Sequence, residues 1–130
     1  MKSSILAVLI APFLASAAAI LPRDGTYQIK CKPDVKLSED AMSSAAPPFY
    51  GKDAGITIYS GQHTSKKDGV KLYLCLLNGD GNGSEITEKR FANWMSEIDR
   101  VCGKGVAGWI DAPSNEGNFG RDTEGARICS

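Results

Sequence analysis

Four cysteines constrain this sequence more than any other feature. Cys31, Cys75, Cys102 and Cys129 are spread over a chain of 130 residues, and an even number of cysteines in a small secreted chain is typical of a disulfide framework. Metal binding is the alternative, but the spacings contain no Cys-x-x-Cys pair and the only histidine is His63. The cysteines therefore predict two disulfides.

The N-terminal end of the chain has the layout of a secretory signal peptide. Lys2 precedes an apolar run over residues 5–14 and a small-residue stretch, ASAAA. The run is too short to span a bilayer, and Pro12 interrupts it. We therefore expect residues 1–19 to be removed and residues 20–130 to form one secreted, extracellular domain without a membrane span.

The charges of the chain nearly cancel. It has 15 basic and 15 acidic side chains and a formal net charge of zero. No basic patch indicates nucleic acid, and no acidic tail indicates a cationic partner. A domain of this size buries only a modest core, so we expect no nucleic-acid partner and a strong dependence on the disulfides.

Alternating apolar residues predict strands in the first half of the chain. TYQIKC, residues 26–31, alternates on one face. GITIYSGQHTSKKDGVKLYLCLL, residues 55–77, alternates on both sides of a tight turn at Asp68-Gly69, which predicts a single hairpin that begins at Ile56.

The stretch between these two strand patterns predicts little regular structure. Ser38 and the acidic residues after it indicate the start of a short helix. Pro47 and Pro48 then exclude a continuous helix or a central strand over residues 41–55.

The clearest periodic pattern predicts an amphipathic helix after Thr87. Thr87 is a suitable N-cap, Ile86 and Phe91 occupy the two positions of a hydrophobic staple, and Gly103 follows the last apolar position. The apolar residues at helical spacing are Phe91, Trp94, Met95, Ile98 and Cys102.

The C-terminal quarter predicts two further strands around a long turn. GVAGWIDAP, residues 105–113, reads as a strand, PSNEGNFGRDTEG as turns, and GARICS, residues 125–130, as a short closing strand. Helices interleaved with hairpin-linked strands favour an α+β fold. We expect a two-layer sandwich of a mainly antiparallel sheet with helices on one face.

The faces of these elements predict how the cysteines pair. Cys31 lies on the apolar face of its strand and Cys102 on the apolar stripe of the helix, so both point between sheet and helix. Cys75 and Cys129 lie opposite the apolar residues of their strands and point to the outer side of the sheet. Among the three possible pairings, we expect Cys31–Cys102 and Cys75–Cys129.

LLNGDGNGSEITEKRF, residues 76–91, superficially resembles a calcium loop because Asn78 and Asp80 alternate as oxygen ligands would. The twelfth position, which should be a bidentate glutamate, is Lys89, and a predicted strand enters the loop where the motif needs a helix. Asparagine, aspartate and glycine are also ordinary turn residues, so we expect no metal. The same loop holds NGS, which predicts N-glycosylation at Asn82.

The sequence contains no recognisable catalytic motif. His63 has no nucleophile pattern around it and reads as an exposed loop histidine. The guanyl-specific ribonucleases of fungi share the size and the two disulfides, but they need a glutamate base and a late histidine acid, and no histidine follows His63. We therefore predict no catalytic residue and no cofactor, with a small secreted hydrolase or ribonuclease lacking a recognisable motif as the alternative.

Two stretches, YQIKC and LYLCLLNGDGNGSEITEKRFANWMSEIDRVCGKGVAGWI, resemble the virally encoded killer toxins of smut fungi and their relatives in fungal genomes. Cys31, Cys75, Cys102 and Gly103 occupy the matching positions, over about half of the mature chain. The family usually carries more cysteines, and a second cysteine beside Cys31 and a pair around Cys102 are absent here.

The resemblance implies an α/β sandwich in a secreted, non-enzymatic protein that acts on other cells. The founding toxin interferes with calcium channels, so the implied partner is a target on another cell, such as a membrane protein or channel. The same fold is used by small secreted fungal effectors. No lysine matches an active residue of the toxins, so the resemblance transfers no functional site.

Overall fold

The computed structural model describes four stretches of the chain: residues 27–51, 53–76, 83–112 and 117–129. The predicted signal peptide, the predicted glycosylation site Asn82, and Asn78 and Asp80 of the calcium-like loop lie outside these stretches. The expectations for them therefore stay predictions.

The described stretches form seven strands and two helices. In chain order these are β1 (Gln28–Lys36), α1 (Glu39–Tyr50), β2 (Ile56–Ile58), β3 (Gly61–Lys67), β4 (Val70–Leu76), β5 (Ser84–Ile86), α2 (Glu88–Cys102), β6 (Val106–Asp111) and β7 (Asn118–Thr123).

Five strands form one antiparallel sheet in the order β1-β6-β7-β4-β3, and β2 pairs with β5 in a separate two-stranded sheet. Strand directions alternate across the large sheet, so β1 and β3, which come before and after α1, run the same way, as do β4 and β6, which come before and after α2. The helix α1 packs on β3 and β4, and α2 packs on β1 and β6. The predicted α+β fold, a mainly antiparallel sheet with helices on one face, is confirmed.

Aromatic rings fill the centre of the layer between helices and sheet. Phe119 of β7 stacks on Trp94 of α2, with 4.9 Å between ring centroids, and meets Phe91 edge-on at 5.7 Å. Phe49 of α1 contacts the same ring at 5.6 Å. Such ring pairs stabilise a core by more than their buried area alone, so the helix aromatics are core residues.

The helix α2 begins and ends where its sequence predicts. The Thr87 hydroxyl accepts a hydrogen bond from the amide of Arg90 at 3.1 Å, and Gly103 closes the helix with a φ of 109°. Ile86 is fully buried and Phe91 nearly so. These contacts are local in sequence, which is why the pattern alone located this helix.

The expectation that Pro47 and Pro48 exclude a continuous helix was wrong. Both prolines lie in the last turn of α1, after the Ser38 hydroxyl has capped its first turn by accepting from the amide of Ala41 at 3.2 Å. Proline removes two helical donors there. The loss of these hydrogen bonds is offset because the helix buries a face of small and aromatic residues, including Phe49, against the sheet.

Two side chains of β3 bind carbonyl oxygens of this proline-containing helix. The Ser65 hydroxyl donates to the Ala45 oxygen at 2.7 Å, and His63 Nε2 donates to the Phe49 oxygen at 2.8 Å. The expectation of an exposed loop histidine was therefore wrong, because His63 is half-buried in a strand against α1.

The predicted hairpin is real but shorter than expected. The strands β3 and β4 meet at Asp68-Gly69, where both residues have positive φ, 47° and 88°, as a two-residue type I′ turn requires. Ile56 and Ile58 do not belong to it. They pair with β5 in the small sheet, a contact between segments that the local alternation does not encode.

The C-terminal strand was predicted in the wrong place. The described residues of the predicted closing strand, 125–129, form no strand, whereas β7 lies in the segment that reads as turns. The segment looks polar because Arg121 and Asp122 are charged. Both are buried. Each forms an ion pair with a residue from a distant part of the chain, Arg121 with Asp99 and Asp122 with Lys32.

Both predicted disulfides are confirmed. Cys31–Cys102 joins β1 to the end of α2, and Cys75–Cys129 joins β4 to the C-terminal segment, each with 5.5 Å between Cα atoms. The reasoning from strand alternation applies to the strand cysteines. It was wrong for Cys129, which lies outside any strand with a φ of 62°.

Arg121 is a fully buried cation between β7 and the end of α2. Its guanidinium lies 2.6 Å from the Asp99 carboxylate. Its Nε donates to the Val106 oxygen at 2.8 Å, and a terminal nitrogen donates to the Gly103 oxygen at 3.3 Å. One side chain thus joins α2, the turn after it, β6 and β7.

We expect Arg121→Ala to lower the free energy of unfolding by about 3 kcal/mol, measured by urea denaturation. The substitution removes the guanidinium donors from the Val106 and Gly103 oxygens and the cation from Asp99, and breaking a buried pair typically costs this much.

The matched control is Lys104→Ala. The Lys104 ammonium lies 3.8 Å from the Glu39 carboxylate, and both side chains are exposed, so we expect a change within about 0.5 kcal/mol. An Arg121→Ala variant as stable as this control would show that the buried network does not hold β7.

Candidate functional site

The face of the sheet away from the helices is partly covered by the C-terminal segment, residues 124–129. The first amide of the segment donates to the Gly69 oxygen at 2.8 Å, and the Lys71 ammonium donates to a carbonyl oxygen in its middle at 2.7 Å. The Cys75–Cys129 disulfide holds its end. The segment is therefore attached to the sheet at three points.

Between this face and the C-terminal segment lies a cavity of about 230 Å³, which we call the outer-face pocket. It combines aromatic, cationic, anionic and amide groups beside the disulfide. The side chains that matter for its chemistry are Lys32, Tyr73, Trp109, Asn118, Asp122 and Arg127.

Gly120 of β7 lies between the two aromatic side chains on the outer face of the sheet. It pairs with Tyr73 on one neighbouring strand and with Trp109 on the other. A Cβ atom at this position would lie 2.3 Å from the Tyr73 hydroxyl oxygen and 2.8 Å from the Trp109 Cβ. The absence of a side chain therefore lets the tyrosine lie flat across β7.

A buried ion pair forms one wall of the pocket. Asp122 is 3% exposed, and one of its oxygens pairs with the Lys32 ammonium. The other oxygen accepts from the amide of Thr123 at 2.7 Å. Burying a carboxylate is costly unless it is paired, so Lys32 and Asp122 are held together across β1 and β7.

The Tyr73 hydroxyl is held in its neutral form. Burial raises the pKa of Tyr73 well above its ordinary value of 10, and the nearby charge of Asp122 raises this pKa further. The hydroxyl makes no hydrogen bond to any described residue, and the Tyr73 side chain lines the cavity. It is thus available as a donor to a bound molecule.

Arg127 and Asn118 complete the polar lining. The exposed Arg127 side chain forms no hydrogen bond or ion pair within the described stretches. The Asn118 carbonyl oxygen accepts from the amide of Ala112 at 3.0 Å, which leaves its amide nitrogen as a donor. Counted over the described residues, the pocket therefore has one uncompensated positive charge and several donors.

A second cavity, of about 190 Å³, opens between the helices beside Met42, Phe91 and Met95, with Arg121 and Asp99 at one end. These two charges already bind each other and the backbone. The cavity therefore lies next to a structural network and offers few free polar groups.

The structure brings only the disulfide residues Cys75 and Cys129 from the sequence predictions to the outer-face pocket. His63 lies on the opposite face of the sheet, against α1. The aromatic and charged residues of the pocket were missed. One signal existed, because Tyr73 shares a strand face with Cys75, whereas nothing local indicates that Asp122 is buried.

Among the described residues, no group of three or more histidines, cysteines or carboxylates is placed to hold a metal ion, and neither helix is long and apolar enough to cross a membrane. Comparisons with protein-family models, with curated proteins and with solved structures give no significant match.

The raised pKa of Tyr73 predicts a loss of stability at alkaline pH. The unfolded chain releases this proton near pH 10 while the folded chain retains it, so the contribution is complete below pH 10 and is lost as the pH rises toward the folded pKa. We expect urea denaturation to show about 1.4 kcal/mol less stability per pH unit above 10 from this group.

We expect Tyr73→Phe to flatten this dependence. Tyr27, whose pKa is also raised by burial and by the charge of Glu97, contributes equally in both proteins. Tyr59 is 60% exposed, so Tyr59→Phe should leave the slope unchanged. Equal slopes for Tyr73→Phe and the unmodified protein would contradict the assignment.

Proposed function

We propose that this chain is a secreted, non-enzymatic protein of the killer-toxin-like or effector type, which acts on other cells by binding a target there. One observation carries the proposal. The outer-face pocket is closed by a disulfide and presents the Tyr73 hydroxyl and the Arg127 guanidinium, neither engaged by a described residue.

The placement of the disulfides supports an extracellular role. Disulfides persist in oxidising compartments, and this small domain uses one on each side of its sheet. Cys31, Cys75 and Cys102 are also the positions on which the resemblance to the killer toxins rests, and the N-terminal residues have a signal-peptide layout.

The bonding of the pocket carboxylate suits a recognition site. An ionised carboxylate has two oxygens with about four lone-pair sites, so it can accept several hydrogen bonds at once. Both oxygens of Asp122 are engaged, one by the Lys32 ammonium and the other by the Thr123 amide. The carboxylate therefore positions Lys32 and keeps lone pairs that can accept from a bound molecule, which is the chemistry of a recognition site.

The test is a growth-inhibition assay of the purified protein on fungal cultures and on plant tissue, with calcium varied. We expect inhibition by the unmodified protein, and Arg127→Gln should need roughly tenfold more protein because a charged hydrogen bond is lost. Lys66→Gln is the matched control, since it removes one exposed charge from edge strand β3.

The alternative, a small hydrolase or ribonuclease, is tested with the same preparations. RNA and general hydrolase substrates should remain intact on incubation. Turnover that is abolished by a single substitution in the outer-face pocket would replace the binding function with an enzymatic one.

A further inference from the structure

The size of the outer-face pocket limits what it can hold. Its volume of about 230 Å³ is below the roughly 300 to 1,000 Å³ of sites for drug-sized molecules. The half-buried Trp109 and the exposed Arg127 lie at its boundary, so a longer molecule can continue into solvent. The pocket therefore suits one ring-sized unit of a larger ligand.

The arrangement around Gly120 suits a ring that is apolar on one face and polar at its edge. The side chains of Tyr73 and Trp109 flank this glycine and supply aromatic surface. Around them lie donors from Lys32 and Asn118 and an acceptor from Asp122. Closely spaced donors and acceptors match the neighbouring hydroxyls of a sugar ring, each of which both donates and accepts.

The charge of the pocket indicates that the ligand carries one negative charge. Lys32 is neutralised by Asp122, which leaves Arg127 as the charge to be matched among the pocket residues that the structure describes. A guanidinium binds a carboxylate through two parallel hydrogen bonds. A carboxylate brings one negative charge, whereas a phosphate brings about 1.5 to 2 at pH 7, so one free arginine balances the carboxylate.

We propose that the outer-face pocket binds one unit of an acidic saccharide, a sugar ring that carries a carboxylate. The carboxylate pairs with Arg127, the apolar face of the ring lies on Trp109, and the hydroxyls bond Tyr73 and Asp122. This proposal rests on the proposed function, because it names the kind of molecule through which the protein recognises another cell.

Nuclear magnetic resonance with trigalacturonate tests the proposal at the level of single residues. We expect the trisaccharide to shift the signals of the Trp109 indole N–H and the Gly120 amide. Affinity should fall at least about tenfold in Arg127→Gln, because a charged hydrogen bond is lost, and less in Arg127→Lys, which keeps the charge. Lys66→Gln should bind like the unmodified protein.

Three results would overturn the proposal. The first is no shift of either signal up to the solubility limit of trigalacturonate. The second is an affinity for the neutral sugar maltotriose equal to that for trigalacturonate, which would show that Arg127 does not pair with a carboxylate. The third is an equal response to inorganic sulfate, which would identify a simple anion site.

The growth assay separates this proposal from the function on which it rests. Growth inhibition without trigalacturonate binding would reject the acidic saccharide and leave the action on other cells in place. Trigalacturonate binding by a protein that affects no tested cell would support the ligand class and reject the cellular action.

Discussion

The buried guanidinium of Arg121 holds β7 in one register, and the rest of the structure depends on that register. Its bonds to Asp99 and to the Val106 oxygen tie the strand to α2 and β6. Because side chains alternate across a strand, the same register places Phe119 in the core and Asp122 on the outer face. A slip by one residue would exchange the two faces, so the core and the outer-face pocket are set by the same contacts.

The two disulfides stabilise different parts of this small domain. Cys31–Cys102 holds the helix layer to β1, and Cys75–Cys129 holds the C-terminal segment to β4, across separations of 71 and 54 residues. Cross-links over such long loops restrict the unfolded chain, and each typically contributes about 2 to 4 kcal/mol. The outer face therefore needs only a short covering segment, which leaves room for a polar pocket beside it.

The two helices show where the local sequence is enough to predict a helix and where it is not. The cap residues of α2, Thr87 and Gly103, and its apolar spacing act within the segment itself, so its position could be predicted. The prolines of α1 give a local signal against a helix, and this signal is outweighed by burial of Phe49 and by hydrogen bonds from β3. Local propensity fails where contacts from another element supply the missing stabilisation.

The sequence by itself determined α2, the turn at Asp68-Gly69 and the faces of the strand cysteines, because caps, turn residues and alternation act over a few neighbouring residues. Only the tertiary structure decided β7 and the outer-face pocket. From the sequence, Arg121 and Asp122 look like surface residues. In the structure Arg121 donates to the Val106 oxygen, 15 residues away, and Asp122 pairs with Lys32, 90 residues away. A buried charge is stable only with its partner in place, and that partner is chosen by the fold.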